Sequence, residues 1–200
     1  GGFKKYSILT TLFIIIWGGA FYYIGYEGLI HDYSTFPPKA TYPMPIMFGV
    51  LFLLMFSTHS KLIIDNFSVK ALIGLQAFRF FPEFFLDMGY REGFVPIQMT
   101  YHGRNFDILV AIFALIVLAF RDKISLKDKT LGIVFSIFGL SWLVNIIIVA
   151  ILSMPTPIRY FLEGPSNTMI TQVPYIWLPM ILVAIAFWGH FLLIKKIKRI

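Results

Sequence analysis

Residues 130–153 read TLGIVFSIFGLSWLVNIIIVAILS, without one charged side chain. About 20 mostly apolar residues are enough for a helix to cross the hydrocarbon core of a bilayer. A helix that is apolar all round has no face to give to water, so it must lie in lipid or in a large protein core. Five more stretches repeat the pattern less purely, at 8–26, 44–64, 69–88, 106–120 and 174–194. The expected fold is therefore all-α: a polytopic membrane protein, a six-transmembrane-helix bundle forming one integral membrane domain over residues 1–200. Composition agrees, with 58% hydrophobic and 14% charged residues against about 45–50% and 25% in soluble domains. The 22 Phe, 10 Tyr and 4 Trp suit a lipid-facing surface with aromatic belts. The absence of cysteine excludes disulfides and thiolate chemistry.

With six spans both termini share one side. That side carries Lys4, Lys5, Lys61, Lys70, Arg121, Lys123, Lys127, Lys129, Lys195, Lys196, Lys198 and Arg199, while the other carries only Lys39, Arg91, Arg104 and Arg159. The positive-inside rule then puts both termini in the cytoplasm. The same distribution explains the net charge of +7 and argues against a nucleic-acid partner. The first span is expected to persist as a helix, because AFYYIGYEG is too bulky for a signal-peptide cleavage site. The three longer loops, 27–43, 89–105 and 154–173, are rich in proline and are expected to be ordered.

One stretch breaks the apolar pattern. RFFPEFFLDMGYREGF, residues 79–94, puts Arg79, Glu83 and Asp87 on one helix face. Arg79 lies roughly 15 Å into its span and Glu83 about 6 Å further. A charge at that depth costs at least ~2.5–3.5 kcal/mol unless it is paired, so Arg79 is expected to pair with Glu83. Pro82 leaves the carbonyl of Phe78 without its helical donor. Other polar groups fall at the same end of neighbouring spans: His102, Arg104, Asn105 and Asp107, then Asn145 and Arg159. Together with Arg79, Glu83 and Asp87 they form the candidate substrate-binding set. The expectation is a polar cavity floored by Arg79 and Glu83, opening to the extracytoplasmic face between the third, fourth and fifth spans and the 89–105 loop.

No P-loop, dinucleotide glycine pattern, HExxH or G-x-S-x-G occurs. A metal set is not expected, the nearest approach being His102, Glu83 and Asp87. His59 and His190 lie at similar depths, about 22 and 24 Å along their spans, and are the one pair that offers axial ligands to a b-type haem. Small residues Gly132, Ser136, Gly139 and Ser141 permit close packing around the fifth span.

The stretches MTYHGRNFDI, ILSMPTPIRYF and WLPMILVAIAFWGH resemble a group of uncharacterised bacterial multi-pass membrane proteins. The resemblance covers the last four spans. It implies a bacterial inner-membrane setting and carries over no catalytic residue. From the residues themselves the first functional expectation is binding or transport of a small anionic solute or ion. Arg79 would hold the anion, and Glu83 or Asp87 would couple to protons. An alternative is an intramembrane enzyme acting on a lipid or lipid-linked head group, with His102, Glu83 and Asp87 as acid–base groups and Arg104 or Arg159 binding phosphate. A third is a non-catalytic subunit whose charges pair with a partner helix. Expected partners are the bilayer, a small-molecule or lipid ligand, and a second copy or a partner membrane subunit.

Overall fold

The computed structural model describes the backbone of residues 2–200 and the side chains of residues 8–200. Lys4 and Lys5, counted above, lie outside the described side chains. Every regular element among the described residues is helical: α1 Gly2–Tyr26, α2 Pro43–Met55, α3 Thr58–Asn66, α4 Val69–Gly74, α5 Phe80–Arg91, α6 Asp107–Phe120, α7 Asp128–Leu152 and α8 Val183–Ile197.

Among the described residues three helices are long and apolar enough to cross a membrane: Ile8–Tyr26, Asp128–Leu152 and Leu178–Ile197. The expected second span, 44–64, is not a single helix. It bends by 60° between Lys39–Met55 and Thr58–Asn66, and counting that pair as one broken span gives four. The bend is written in serines. Ser57 caps α3 by accepting from the Ser60 amide at 3.2 Å, and the Ser57 and Ser60 hydroxyls both donate to the Leu54 carbonyl, at 2.6 and 2.5 Å. The end of α2 and the start of α3 are thereby each satisfied without a continuous helix. The expected spans 69–88 and 106–120 fall short for other reasons. The first carries Lys70, Arg79, Glu83 and Asp87, and α6 is only 14 residues long. By length and composition, three helices among the described residues qualify as crossings, or four passages with the bent pair counted as one.

Proline marks two irregular places. The chain stays helical from 69 to 91, but tightens into a 3₁₀ segment at Leu75–Arg79 just ahead of Pro82. Pro179 sits in a π-helical turn, Leu178–Leu182, that leads into α8. Both are the local irregularities that a missing N–H imposes on a helix.

Among the described residues the interior holds three apolar clusters, and a polar layer separates the two larger ones. One cluster gathers Leu72, Ile73, Val110, Ala114, Phe135 and Leu192. The other gathers Leu86, Leu143, Ile146, Val149, Met169 and Ala186. On each of three elements a polar or glycine position falls between them: Gln76, Arg79 and Glu83 between Ile73 and Leu86, Gly139 between Phe135 and Leu143, and His190 between Ala186 and Leu192. Beyond the second cluster the long loops are tied to one another and to the end of α7. His31 Nδ1 meets Thr171 Oγ1 at 2.7 Å, and Gln98 Nε2 donates to Ser153 Oγ at 3.0 Å. At the opposite end, Lys196 donates to the Ile64 carbonyl at 2.7 Å and Arg199 pairs with Asp65 at 2.5 Å.

Candidate functional site

The polar layer is built on Arg79, whose residue is 2% exposed. Its guanidinium is a rigid fork of donors, and four contacts fill it. Nε donates to Asp107 Oδ2 at 3.2 Å and Nη2 to Asp107 Oδ1 at 2.5 Å. Nη1 donates to the Gly139 carbonyl at 3.2 Å and lies 3.3 Å from His190 Nε2. Because arginine only donates, that ring nitrogen is the acceptor. One side chain on the 69–91 helical stretch thus joins α6, α7 and α8.

The expected Arg79–Glu83 pair is therefore replaced by an Arg79–Asp107 pair. The i,i+4 rule assumes α-helical pitch on both sides of the pair, and Arg79 closes a 3₁₀ turn. Asp107, in the first turn of α6, instead offers two oxygens to two guanidinium nitrogens, the stronger, two-point geometry. Glu83 is just as buried, at 2% exposed, but its partner is neutral. Asn105 Nδ2 donates to both of its oxygens, at 2.7 and 2.9 Å, and to the Met99 carbonyl at 3.1 Å. Asn105 Oδ1 accepts from the Asp107 amide at 3.1 Å. That contact satisfies the first amide of α6 and links the two carboxyl groups through one amide side chain.

The rest of the expected set lies further out. Asp87 pairs with Arg91 at 2.8 Å, one turn along α5, and with His102 Nε2 at 3.1 Å. Glu83 does not join them, and among the described residues no three His, Asp or Glu could hold a metal ion. Asn145 donates to the Arg104 carbonyl at 2.7 Å, pinning the 89–105 loop to α7. The Arg104 guanidinium lies over the Phe161 ring, 5.3 Å from its centre. Arg159 folds onto its own loop, donating to the Phe161 and Gly164 carbonyls at 2.8 and 3.0 Å. The nine candidates therefore divide into a linked group of Arg79, Glu83, Asn105 and Asp107, and a second set, Asp87 on α5, Asn145 on α7 and His102, Arg104 and Arg159 in the loops, whose hydrogen bonds and ion pairs lie elsewhere.

Two contributors were not anticipated in their roles. His190 was placed too far along its helix, because the last span begins at Leu178 rather than at 174. Counted from Leu178 it lies about 18 Å in, level with Arg79. Gln76, whose Nε2 donates to the Ala186 carbonyl at 3.2 Å, was signalled only as a lone amide one turn before Arg79. Gly139 is required by the close approach: a Cβ there would collide with the His190 ring and meet Val110 at 3.2 Å.

The same geometry gives the haem pair no support. His190 Nε2 is taken by Arg79, and its ring stacks on Phe135 at 5.6 Å. His59 Nε2 meets Thr10 Oγ1 at 3.3 Å, and its ring stacks on Trp188 at 5.6 Å. The two histidines serve different neighbourhoods, and neither presents a free Nε2.

The expected polar cavity also differs from what is found. Arg79, Glu83, Asn105 and Asp107 line a small cavity of about 100 Å³ whose other walls are apolar, among them Met44, Phe48, Leu143 and Leu182. The larger cavity, about 490 Å³, lies elsewhere, between α1 and a wall made by α2, α3, the Leu178–Leu182 turn and α8.

A family model described as Domain of unknown function (DUF8737) matches residues 40–197. That stretch holds every residue of the Arg79 layer and excludes α1. No curated protein and no solved structure matches the chain.

Proposed function

The chain belongs to the family of the Domain of unknown function (DUF8737), and from that premise we propose that it is a multi-pass protein of the bacterial inner membrane that binds a small anionic solute or ion and moves it with proton coupling. The observation that carries the reading is a charge count. One guanidinium, Arg79, shares a small buried cavity with two carboxyl groups, Asp107 and Glu83. Asp107 takes up its fork, and Glu83 has only an amide for a side-chain partner. Ionisable groups at membrane depth are by default candidates for solute pathways and proton relays.

In this reading Asp107 holds the place of the solute's anionic group, which exchanges with it on the Arg79 fork. Glu83 carries the coupled proton, keeping the layer's charge in balance as the anion enters and leaves. The 3₁₀ and π segments beside the layer supply irregular backbone of the kind that transporters place at such sites. The enzyme reading finds less support, because Arg104 and Arg159 turn to the Phe161 ring and to loop carbonyls rather than to Asp87 and His102.

The topology proposed with this function is six passages with both termini cytoplasmic. The twelve-to-four split of basic residues supports it, as does the unbroken helical stretch from 69 to 91. Reporter fusions after residues 35, 97 and 163 should read extracytoplasmic, and those after 66 and 125 cytoplasmic. Inversion at two of these sites would discard that topology.

Function is tested in proteoliposomes loaded with a pH-sensitive dye and challenged with chloride, phosphate or acetate. The expected result is an anion-dependent change of internal pH, lost in Glu83→Gln and in Arg79→Lys. If none of these anions moves protons through the unaltered protein, or if Glu83→Gln moves them as well, the transport reading fails.

A further inference from the structure

The 490 Å³ cavity between α1 and the α2, α3 and α8 wall has no part in the Arg79 layer. Its volume falls within the roughly 300–1,000 Å³ usual for ligand pockets. Its lining is apolar along most of its length, with Phe13, Trp17, Val50, Leu51, Met180 and Ile185. Polar groups gather at one end only, where Thr10 faces His59 beside Ser57 and Thr58. The cavity is therefore amphipathic along its length.

Two lysines stand outside the cavity's lining, on α3 and α8, the helices that carry His59 and Trp188 of that lining. Lys195 Nζ donates to the Met55 carbonyl at 2.8 Å and lies 4.4 and 4.9 Å from the ring centres of Phe56 and Phe191. Lys61 is exposed one helical turn beyond Ser57 and has no ion pair among the described residues. The neighbouring basic pair, Arg199 with Asp65, is already neutralised.

The wall formed by α1 is thinly attached. Thr10 meets His59, Trp17 Nε1 donates to the Met180 carbonyl at 3.0 Å, and Trp177 Nε1 donates to the Gly18 carbonyl at 3.0 Å. Between the first two ties the helix bridges the cavity, and its Leu9 and Ile14, which line it, are 51% and 41% exposed. The cavity thus opens sideways onto an apolar outer surface.

We propose that this cavity is a binding site for one acyl chain of an anionic phospholipid, drawn from the surrounding bilayer, with its head group at the Thr10–His59 end between Lys61 and Lys195. Charge complementarity selects the head group. The apolar length and the lateral opening select a hydrocarbon chain that arrives from lipid rather than from water. α1 is the clasp over the chain. The proposal rests on the membrane setting of the proposed function and not on proton chemistry at Glu83.

The test uses the full-length protein, purified in detergent and titrated with phosphatidylglycerol carrying brominated acyl chains. Quenching of tryptophan fluorescence reports chains that reach Trp17 and Trp188. Phosphatidylcholine with the same chains is the control. Phosphatidylglycerol should bind saturably, one per chain. It should bind roughly thirtyfold tighter than phosphatidylcholine, the effect of two lysines at a lipid surface. Lys61→Ala with Lys195→Ala should abolish that preference. Ala184→Phe, which fills the cavity, should weaken binding at least about tenfold. Ile14→Phe fills it from the α1 side and should do the same, should Ala184→Phe fail to fold. Glu83→Gln should bind like the unaltered protein, which separates this site from the transport reading. Equal quenching by both lipids would overturn the proposal. So would non-saturating quenching that both cavity-filling variants leave unchanged, the mark of a lipid annulus alone.

Discussion

The Arg79 layer and the α1 cavity lie in one small bundle and are packed in opposite ways. In the layer every side-chain nitrogen of Arg79 has a partner, supplied by three other helices, and the space left is about 100 Å³. At the cavity a single helix, α1, leans over about 490 Å³. Only 11% of its apolar window is buried, against 33% for α7. The layer is costly to assemble and costly to open, because each group removed strands another away from water. The cavity walls are apolar and lose little when they part. The two proposals follow that contrast: transport is assigned to the region of fixed charges, and lipid binding to the region that parts easily.

The sharpest way to break that contrast is to remove the guanidinium. Arg79→Leu leaves Asp107 without its counter-charge and the Gly139 carbonyl without its side-chain donor. Losing one partner of a buried pair costs roughly 3–5 kcal/mol, so the variant should unfold at a much lower temperature in detergent. Adding Asp107→Leu should recover part of that loss, because two apolar groups no longer strand a charge. Adding Glu83→Leu instead should recover less, since Glu83 is not Arg79's partner. Equal rescue by both would mean that the pairing is shared between the two carboxyls.

Glycines sharpen the comparison at smaller scale. Gly139→Ala places a methyl group against the His190 ring and Val110, and overpacking of this kind costs about 1–3 kcal/mol. Gly19, in α1, has nothing within 4 Å of where a Cβ would stand. Gly19→Ala should therefore be neutral or stabilising by up to ~1 kcal/mol, the difference in helix propensity. Paired melting curves decide it. A loss at Gly19 matching that at Gly139 would mean that α1 is packed as tightly as the layer.

The same two regions differ in how far sequence could describe them. Arg79 and Glu83 announce themselves, because a charge inside an apolar run must be buried and satisfied. Asn105 and Asp107 stand out for the same reason. Their pairing was hidden, because helix-face geometry links residues four apart, whereas Asp107 lies 28 positions from Arg79 and a 3₁₀ turn re-aims the arginine. The break between α2 and α3 was hidden because Ser57 and Thr58 are small enough to pass inside a span, and only the caps reveal two helices. The cavity left no sequence signal at all. Leu9, Phe13, Met47 and Ile181 look alike in sequence whether they face lipid, a core or a void.

The smallest expected effect lies in the loop that joins α1 to the family-matched region. Asp32 accepts from the Ser34 hydroxyl at 2.6 Å and from the Ser34 amide at 2.9 Å, and Lys39 Nζ lies 2.9 Å away. The Ser34 hydroxyl first, and then Lys39, hold its carboxyl well below the usual carboxylate range. A group whose pKa is lowered by folding stabilises the fold above its unfolded value, about 3.9. That contribution fades as pH falls from there toward the folded value. Asp32→Asn should therefore lower the melting temperature slightly and by a constant amount from pH 8 to about pH 5, with the difference shrinking below about pH 4. Because the pair is solvent-exposed, added salt should shrink it as well. Melting curves of both proteins across that range give the answer. A large, salt-insensitive difference would mean that the loop holds α1 in place, and that the clasp is anchored from this end as firmly as Arg79 anchors the layer.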